Sequence, residues 1–219
     1  LIIDLQNSTR TSLYNFFFRF FDNCLISSSR IFSHYRYLIP LQGKETTTEG
    51  LFNQINLLKI NKNNNEEYFW LQRKLDIEYD SKLVLFIPGV SSKGKYKQWQ
   101  PKKFAEIAKY CEMKKYKICV VGTNNDRDSV APIFLNCKNV IDNIDNSPPD
   151  KIFSIAKKSS LVITNDTGPG HIAALTKTKI LWILNDNKIT ASNVPNNENN
   201  LKILSDNLKN ISVDKVIDF

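Results

Sequence analysis

Only two histidines occur in the 219 residues, and one of them, His171, stands in the string Asn165-Asp166-Thr167-Gly168-Pro169-Gly170-His171-Ile172-Ala173-Ala174. Asp, Thr and Gly ahead of an apolar helical stretch make a phosphate-sized anion site. The threonine hydroxyl and the unpaired first-turn N–H groups are donors, and a helix start carries partial positive charge. Gly168 and Gly170 let an anion approach the backbone, Pro169 suits a first helical turn, and His171 is placed to donate a hydrogen bond to the same ligand. A second string, Pro88-Gly89-Val90-Ser91-Ser92-Lys93-Gly94-Lys95-Tyr96-Lys97-Gln98-Trp99-Gln100-Pro101, joins serine hydroxyls to three lysines, and an ammonium binds phosphate as a point charge. Taken singly, each string has a plainer reading: a capped helix in any α/β domain, and a solvated basic loop.

The elements that must position these residues alternate. Leu83-Val84-Leu85-Phe86-Ile87 and Leu161-Val162-Ile163 are short apolar runs of the kind a buried parallel strand shows. Between and around them the pattern predicts helix 101–113, strand 117–122, helix 126–135, strand 139–142, helix 149–157, strand to 164, helix 168–176 and strand 179–184, with a last helix near the carboxyl end. Such alternation argues for a doubly wound parallel sheet, whose ligands sit at the carboxyl ends of strands. Gly89, Gly122 and Asp166 all fall at such ends. Upstream, the pattern gives a strand at 2–5, a helix at 9–21, a short strand at Leu25-Ile26, a helix at 47–60 and a polar loop at 61–67.

Composition narrows the partners. A net charge of +8 and a pI near 9.2 favour anions. The lysines are spread along the chain, and no RRM, KH or helix-turn-helix pattern occurs, so nucleic acid is not an expected partner, nor is a stable protein partner. Cys24, Cys111, Cys119 and Cys137 have no metal-ligand spacing. Cys119 lies in an apolar run, as a buried free thiol of a reducing compartment does. Neither a signal peptide nor a membrane-length apolar run is found, which makes the cytoplasm the expected location.

The two strings in this order, Pro88-Gly89 with Ser91, Lys97 and Trp99 followed by Phe104-Ala105-Glu106-Ile107-Ala108, then Gly122 at a strand end, then Asn165-Asp166-Thr167-Gly168-Pro169 with His171-Ile172-Ala173-Ala174, resemble glycosyltransferase family 9, the heptosyltransferase-like enzymes. The resemblance runs over most of 83–185. It extends more weakly to Asp4-Leu5-Gln6-Asn7-Ser8, which is similar to a strand end of the family's acceptor domain. It departs from the family where Gln100 separates Trp99 from Pro101, and where the Asn-rich stretch 185–200 replaces a shorter turn.

The resemblance implies the α/β GT-B fold, two Rossmann-like doubly wound domains. Residues 1–79 would be an incomplete acceptor-binding domain and 80–219 the donor-binding domain, with the crossing at 77–81. It further implies inverting transfer of a sugar, a heptose on an ADP-linked donor, to a lipopolysaccharide core or other lipid-linked saccharide at the inner membrane surface. A different nucleotide sugar, or a nucleotide-binding module without catalysis, are the alternatives. Lys97 and His171 would stabilise the leaving group, and Gly89, Ser91, Lys97, Gly122, Thr123, Asp166, Thr167, Gly168 and His171 would bind the donor. Asp166 would order its turn as a cap rather than act as acid or base. Asp126 is a weaker candidate, for a sugar hydroxyl, and Trp99 is expected to pack the helix start against the loop. No cofactor and no metal are expected, since nothing resembles a DxD site. The family's catalytic aspartate belongs to a unit that would precede Leu1, so no residue here is assigned as the base; Asp4 matches a later strand end. The aromatic, basic helix over 10–21 has two readings: its phenylalanines bury on the domain's own sheet, the favoured one, or they rest with Arg10 and Arg19 on an anionic membrane surface.

Overall fold

The structure is a computed structural model that describes residues 1–40, 45–60, 68–75, 82–186 and 193–218. The chain divides into two compact units, Leu1–Glu66 and Glu67–Phe219. Residues 68–75 thus go with the second unit, while the expected crossing at 77–81 and the polar loop at 61–67 lie outside the described residues.

In the first unit, strands β1 (Ile2–Ile3), β2 (Ile26–Ser28) and β3 (Tyr35–Arg36) pair in parallel in that order. Helices α1 (Thr9–Phe20) and α2 (Thr47–Asn56) each start on a reciprocal capping box, Ser8 with Thr11 and Thr46 with Glu49. The first strand is shorter than expected because Asp4 turns the chain: its Oδ1 accepts the N–H groups of Gln6 and Asn7, both at 3.0 Å. Its Oδ2 accepts from Asn15 Nδ2 at 3.0 Å. That bond brings Asn15 inward, and Asn15 is the buried residue of α1. Most of the phenylalanines do not bury as their spacing favours. Phe17, Phe18, Phe20 and Phe21 stay 41–71% exposed, while Phe16 packs edge-on against Phe32. The face of α1 that turns inward is thus marked by a hydrogen-bonded asparagine.

The second unit is built on six parallel strands: β4 (Leu83–Ile87), β5 (Lys117–Gly122), β6 (Val140–Ile144), β7 (Leu161–Asn165), β8 (Lys179–Asn185) and β9 (Asn200–Ser205). Their spatial order is β6-β5-β4-β7-β8-β9. The chain winds outward from β4 to β6, returns to β7 on the other side of β4, and winds outward again. Helices α3 (Pro101–Met113), α4 (Arg127–Asn136), α5 (Pro149–Lys158), α6 (Gly168–Ala173) and α7 (Val213–Ile217) accompany the strands. Side chains alternate across β4. Val84 and Phe86 join the core with Phe104, Ile107 and Val130 on one face, whereas Leu83, Leu85 and Ile87 join Ile152, Ile155 and Trp182 on the other.

Two departures from the sequence pattern have local causes. Helix α6 stops at Ala173 rather than 176, because the Thr176 hydroxyl donates to the Ala173 carbonyl at 2.8 Å and that of Thr178 to Ala156 at 2.7 Å, side-chain bonds that compete with a further helical turn. Strand β9 is unforeseen. It is fixed by Trp182 Nε1 donating to Asn200 Oδ1 at 2.7 Å and by a six-residue register with β8. Among the described residues no helix is long and apolar enough to cross a membrane. Cys111, Cys119 and Cys137 are buried and free. Burial pushes the Cys111 and Cys119 thiols up to about 12 and that of Cys137 to about 11, which leaves them protonated.

Candidate functional site

Reversal of winding between β4 and β7 opens a crevice at the carboxyl ends of those strands, the place where open parallel sheets bind ligands. Both strings lead out of it. The wholly buried Asn165 at the end of β7 ties them together: its Oδ1 accepts from the Trp99 N–H at 3.0 Å and its Nδ2 donates to the Pro88 carbonyl at 2.9 Å. Gln98 Nε2 donates to the same carbonyl at 3.1 Å and to Ser129 Oγ at 2.7 Å. Trp99 is fully buried, donates from Nε1 to the Ile211 carbonyl at 3.2 Å and meets Phe104 edge-on at 5.1 Å. The lysine-bearing segment, a short 3-10 turn over Ser92–Lys97, is held rather than loose.

Across this seam Lys97 Nζ lies 2.6 Å from Asp166 Oδ2, and His171 Nε2 lies 3.1 Å from Asp166 Oδ1. Asp166 is therefore not the backbone cap expected from sequence; its two oxygens hold two side chains instead. Burial raises its carboxyl pKa, but the hydrogen bonds from His171 and Lys97 outweigh burial and set it below the ordinary 3.8. The carboxylate is anionic, and it spends its charge on fixing the cation and the imidazole. Lys97 keeps two of its three N–H donors for a ligand. Thr167 precedes α6 in extended geometry, with no capping bond from its hydroxyl.

Two adjoining cavities, lined wholly by the second unit, share Val90, Ser91, Thr167 and Gly168. The smaller, about 250 Å³, also has Gly94, Lys97, Asp166 and His171 on its wall. The larger, about 560 Å³, sets Ile87, Val121, Ile152 and Pro169 beside Gly89, Gly122, Thr123, Asn125 and Ser147. All nine residues singled out from sequence come together around these two spaces. The glycines differ in their reasons. A Cβ on Gly168 would meet nothing within 4 Å, so its backbone faces the open site; on Gly170 it would stand 2.9 Å from Thr164 Oγ1 and 3.0 Å from the Trp182 ring. Gly170 thus serves packing, not the anion approach expected of it. On Gly89 a Cβ would come within 2.4 Å of the Asp126 carboxyl. Asp126 itself is 9% exposed and accepts the N–H and the hydroxyl of Thr123, both at 2.9 Å, so it shapes the larger cavity's rim.

Sequence reasoning gave no site role to Asn165, Asn125 or Ser147, and counted Lys95 only as one of three loop lysines. Ser147 Oγ donates to the Gly122 carbonyl at 3.2 Å. For Asn165 a signal existed: an asparagine closing a fully apolar strand must find buried partners. The others lie on turns whose neighbours only the fold decides.

A family model, glycosyltransferase family 9 (heptosyltransferase), matches residues 49–213. Among solved structures, E. coli heptosyltransferase WaaC with ADP aligns at a TM-score of 0.75 and 11% identity over 99% of this chain and 70% of that one. The glycosyl transferase family 9 structure from Veillonella parvula aligns at 0.74 and 16% over 99% and 71%. E. coli ADP-heptose lps heptosyltransferase II aligns at 0.57 and 17% over 65% of this chain and 46% of that one. The chain thus spans less than half of the last protein and about seven tenths of the other two. No curated protein sequence matches it significantly. The structural likeness establishes an α/β protein of the GT-B fold, and the family match extends over well over half of the residues and takes in both strings. The chain belongs to glycosyltransferase family 9.

Proposed function

We propose that this chain carries the donor site of an inverting glycosyltransferase that moves a heptose from an ADP-linked donor to a hydroxyl of a lipopolysaccharide core or other lipid-linked saccharide. The observation that carries the reading is the pair of joined cavities. One is apolar-walled and sized for a nucleoside; the other is polar and holds Lys97, His171 and the open backbone at Gly168. Family membership supports sugar transfer. The ADP-heptose donor draws on a structure of E. coli heptosyltransferase WaaC with ADP-2-deoxy-2-fluoro heptose, which shares the fold.

In the reaction the acceptor oxygen attacks the anomeric carbon while the bond from that carbon to the terminal phosphate oxygen breaks. The departing diphosphate gains negative charge, which the free donors of Lys97, the imidazole of His171 and the Thr167–Gly168 backbone meet inside a fixed polar wall. The hydroxyl proton goes to a base that no residue of this chain is assigned to supply; both oxygens of Asp4 are already bonded within its own unit. A location at the cytoplasmic side of the inner membrane is consistent with the exposed phenylalanines of α1 beside Arg10 and Arg19.

Calorimetric titration with ADP, UDP and GDP at matched salt tests the donor. ADP is expected to bind tightest. Preference for UDP or GDP would keep the family and replace the donor, and binding of none of the three would remove the nucleotide site.

A further inference from the structure

Resting on the nucleotide reading above, the charge around the two cavities points to a residue that the sequence offers only as one of three loop lysines. His171 aside, four lining side chains are ionisable: Lys97 and Asp166 on the smaller space, Lys95 and Asp126 on the larger. Lys97 is already neutralised by Asp166 at 2.6 Å. Without Lys95 the walls would hold two carboxylates against one ammonium, an unfavourable enclosure for a diphosphate. Lys95 brings that balance to zero, and its ammonium is engaged in no ion pair or hydrogen bond among the described residues.

Its backbone is fixed on both sides. The Lys95 carbonyl accepts from the Gln98 N–H at 3.1 Å, the Tyr96 carbonyl accepts from Asn185 Nδ2 at 2.9 Å, and Gly94 before it is buried, with its N–H on the Ser91 carbonyl at 2.8 Å. The turn therefore presents the two lysines to different spaces: Lys97 to the smaller cavity and Lys95 to the larger, with Ser91, Thr167 and Gly168 at the border. A nucleoside seated in the larger cavity would place its first phosphate on the Lys95 side of that border and its second on the Lys97 side. We propose that Lys95 is the cation that holds the phosphate next to the ribose, a division of labour in which Lys97 serves the phosphate next to the transferred sugar.

The test is a titration of the full chain and its Lys95→Gln, Lys95→Arg and Lys97→Gln variants with adenosine, AMP and ADP, or with the same series of whichever base the wild type prefers. Lys95→Gln is expected to lose about tenfold in affinity for both AMP and ADP, the scale of one charge-assisted contact, while keeping its affinity for adenosine. Lys95→Arg should stay within about threefold of wild type, because it keeps the charge. Lys97→Gln should lose on ADP and not on AMP. The salt dependence of AMP binding should also flatten in Lys95→Gln. Equal AMP affinity in wild type and Lys95→Gln would overturn the proposal, as would an equal loss for adenosine, which would mean a merely structural effect. A wild-type chain that binds ADP but shows no difference among its lysine variants sinks the Lys95 assignment alone; a wild-type chain that binds no nucleotide sinks the site itself and Lys95 with it.

Discussion

Asp166 shows how a carboxylate on a cavity wall can have its charge met within the protein. Two cationic or donor groups take up its oxygens, and what faces the cavity is the remaining capacity of those groups. Lys97→Ala should therefore do two things: remove a donor to the phosphate, and leave Asp166 with uncompensated charge against the site. A loss of about tenfold or more in ADP affinity is expected by calorimetry. The pairing also has a pH signature. The Asp166 carboxyl lies below its ordinary 3.8, so its contribution to stability is complete above that ordinary value and is lost as pH falls through the lower folded one. Asp166→Asn should be less stable than wild type at pH 7 by about 1–2 kcal/mol, and thermal melts taken at successively lower pH should show the gap closing below 3.8.

At the scale of elements, the turn after β7 and the start of α6 separate packing from binding within three residues. Gly170→Ala pushes a methyl into Thr164 and Trp182, and overpacking of this kind costs about 1–3 kcal/mol. Gly168→Ala meets open space, so its melting temperature should stay close to wild type while ADP affinity falls, because the methyl occupies room meant for the ligand. The reverse pattern would exchange the roles of the two glycines. Asn165→Ala is the corresponding test of the seam. Losing the bond to Trp99 leaves its buried N–H unpaired, while the Pro88 carbonyl keeps the bond from Gln98, and a destabilisation of about 1–3 kcal/mol in denaturant titration is expected.

For the molecule as a whole, both cavities and both faces of the six-stranded sheet belong to the second unit. A unit with its own two-sided core can fold alone. Residues 67–219 expressed separately should bind ADP within about threefold of the full chain, since every lining residue belongs to that unit; a much larger loss would mean that ADP binding needs the first unit.

Strand after strand of the second unit was legible from sequence because parallel strands buried on both faces read as short apolar runs, and the helices between them keep their 3.6-residue spacing. The two strings that line the cavities were legible too, because their order along the chain, each at a strand end, is more specific than either string alone. What the sequence could not state was contact. That Asp166 holds Lys97 across 69 positions, that Gly170 faces a tryptophan, and that Lys95 and Lys97 open onto different spaces all depend on where the winding reverses between β4 and β7. The phenylalanines of α1 mark the same limit: their pattern alone favours burial, yet Asn15, bonded to Asp4, is the buried residue of that helix. Periodicity is local and survives reading along the chain, whereas the direction of a side chain is settled by partners brought close only by the fold.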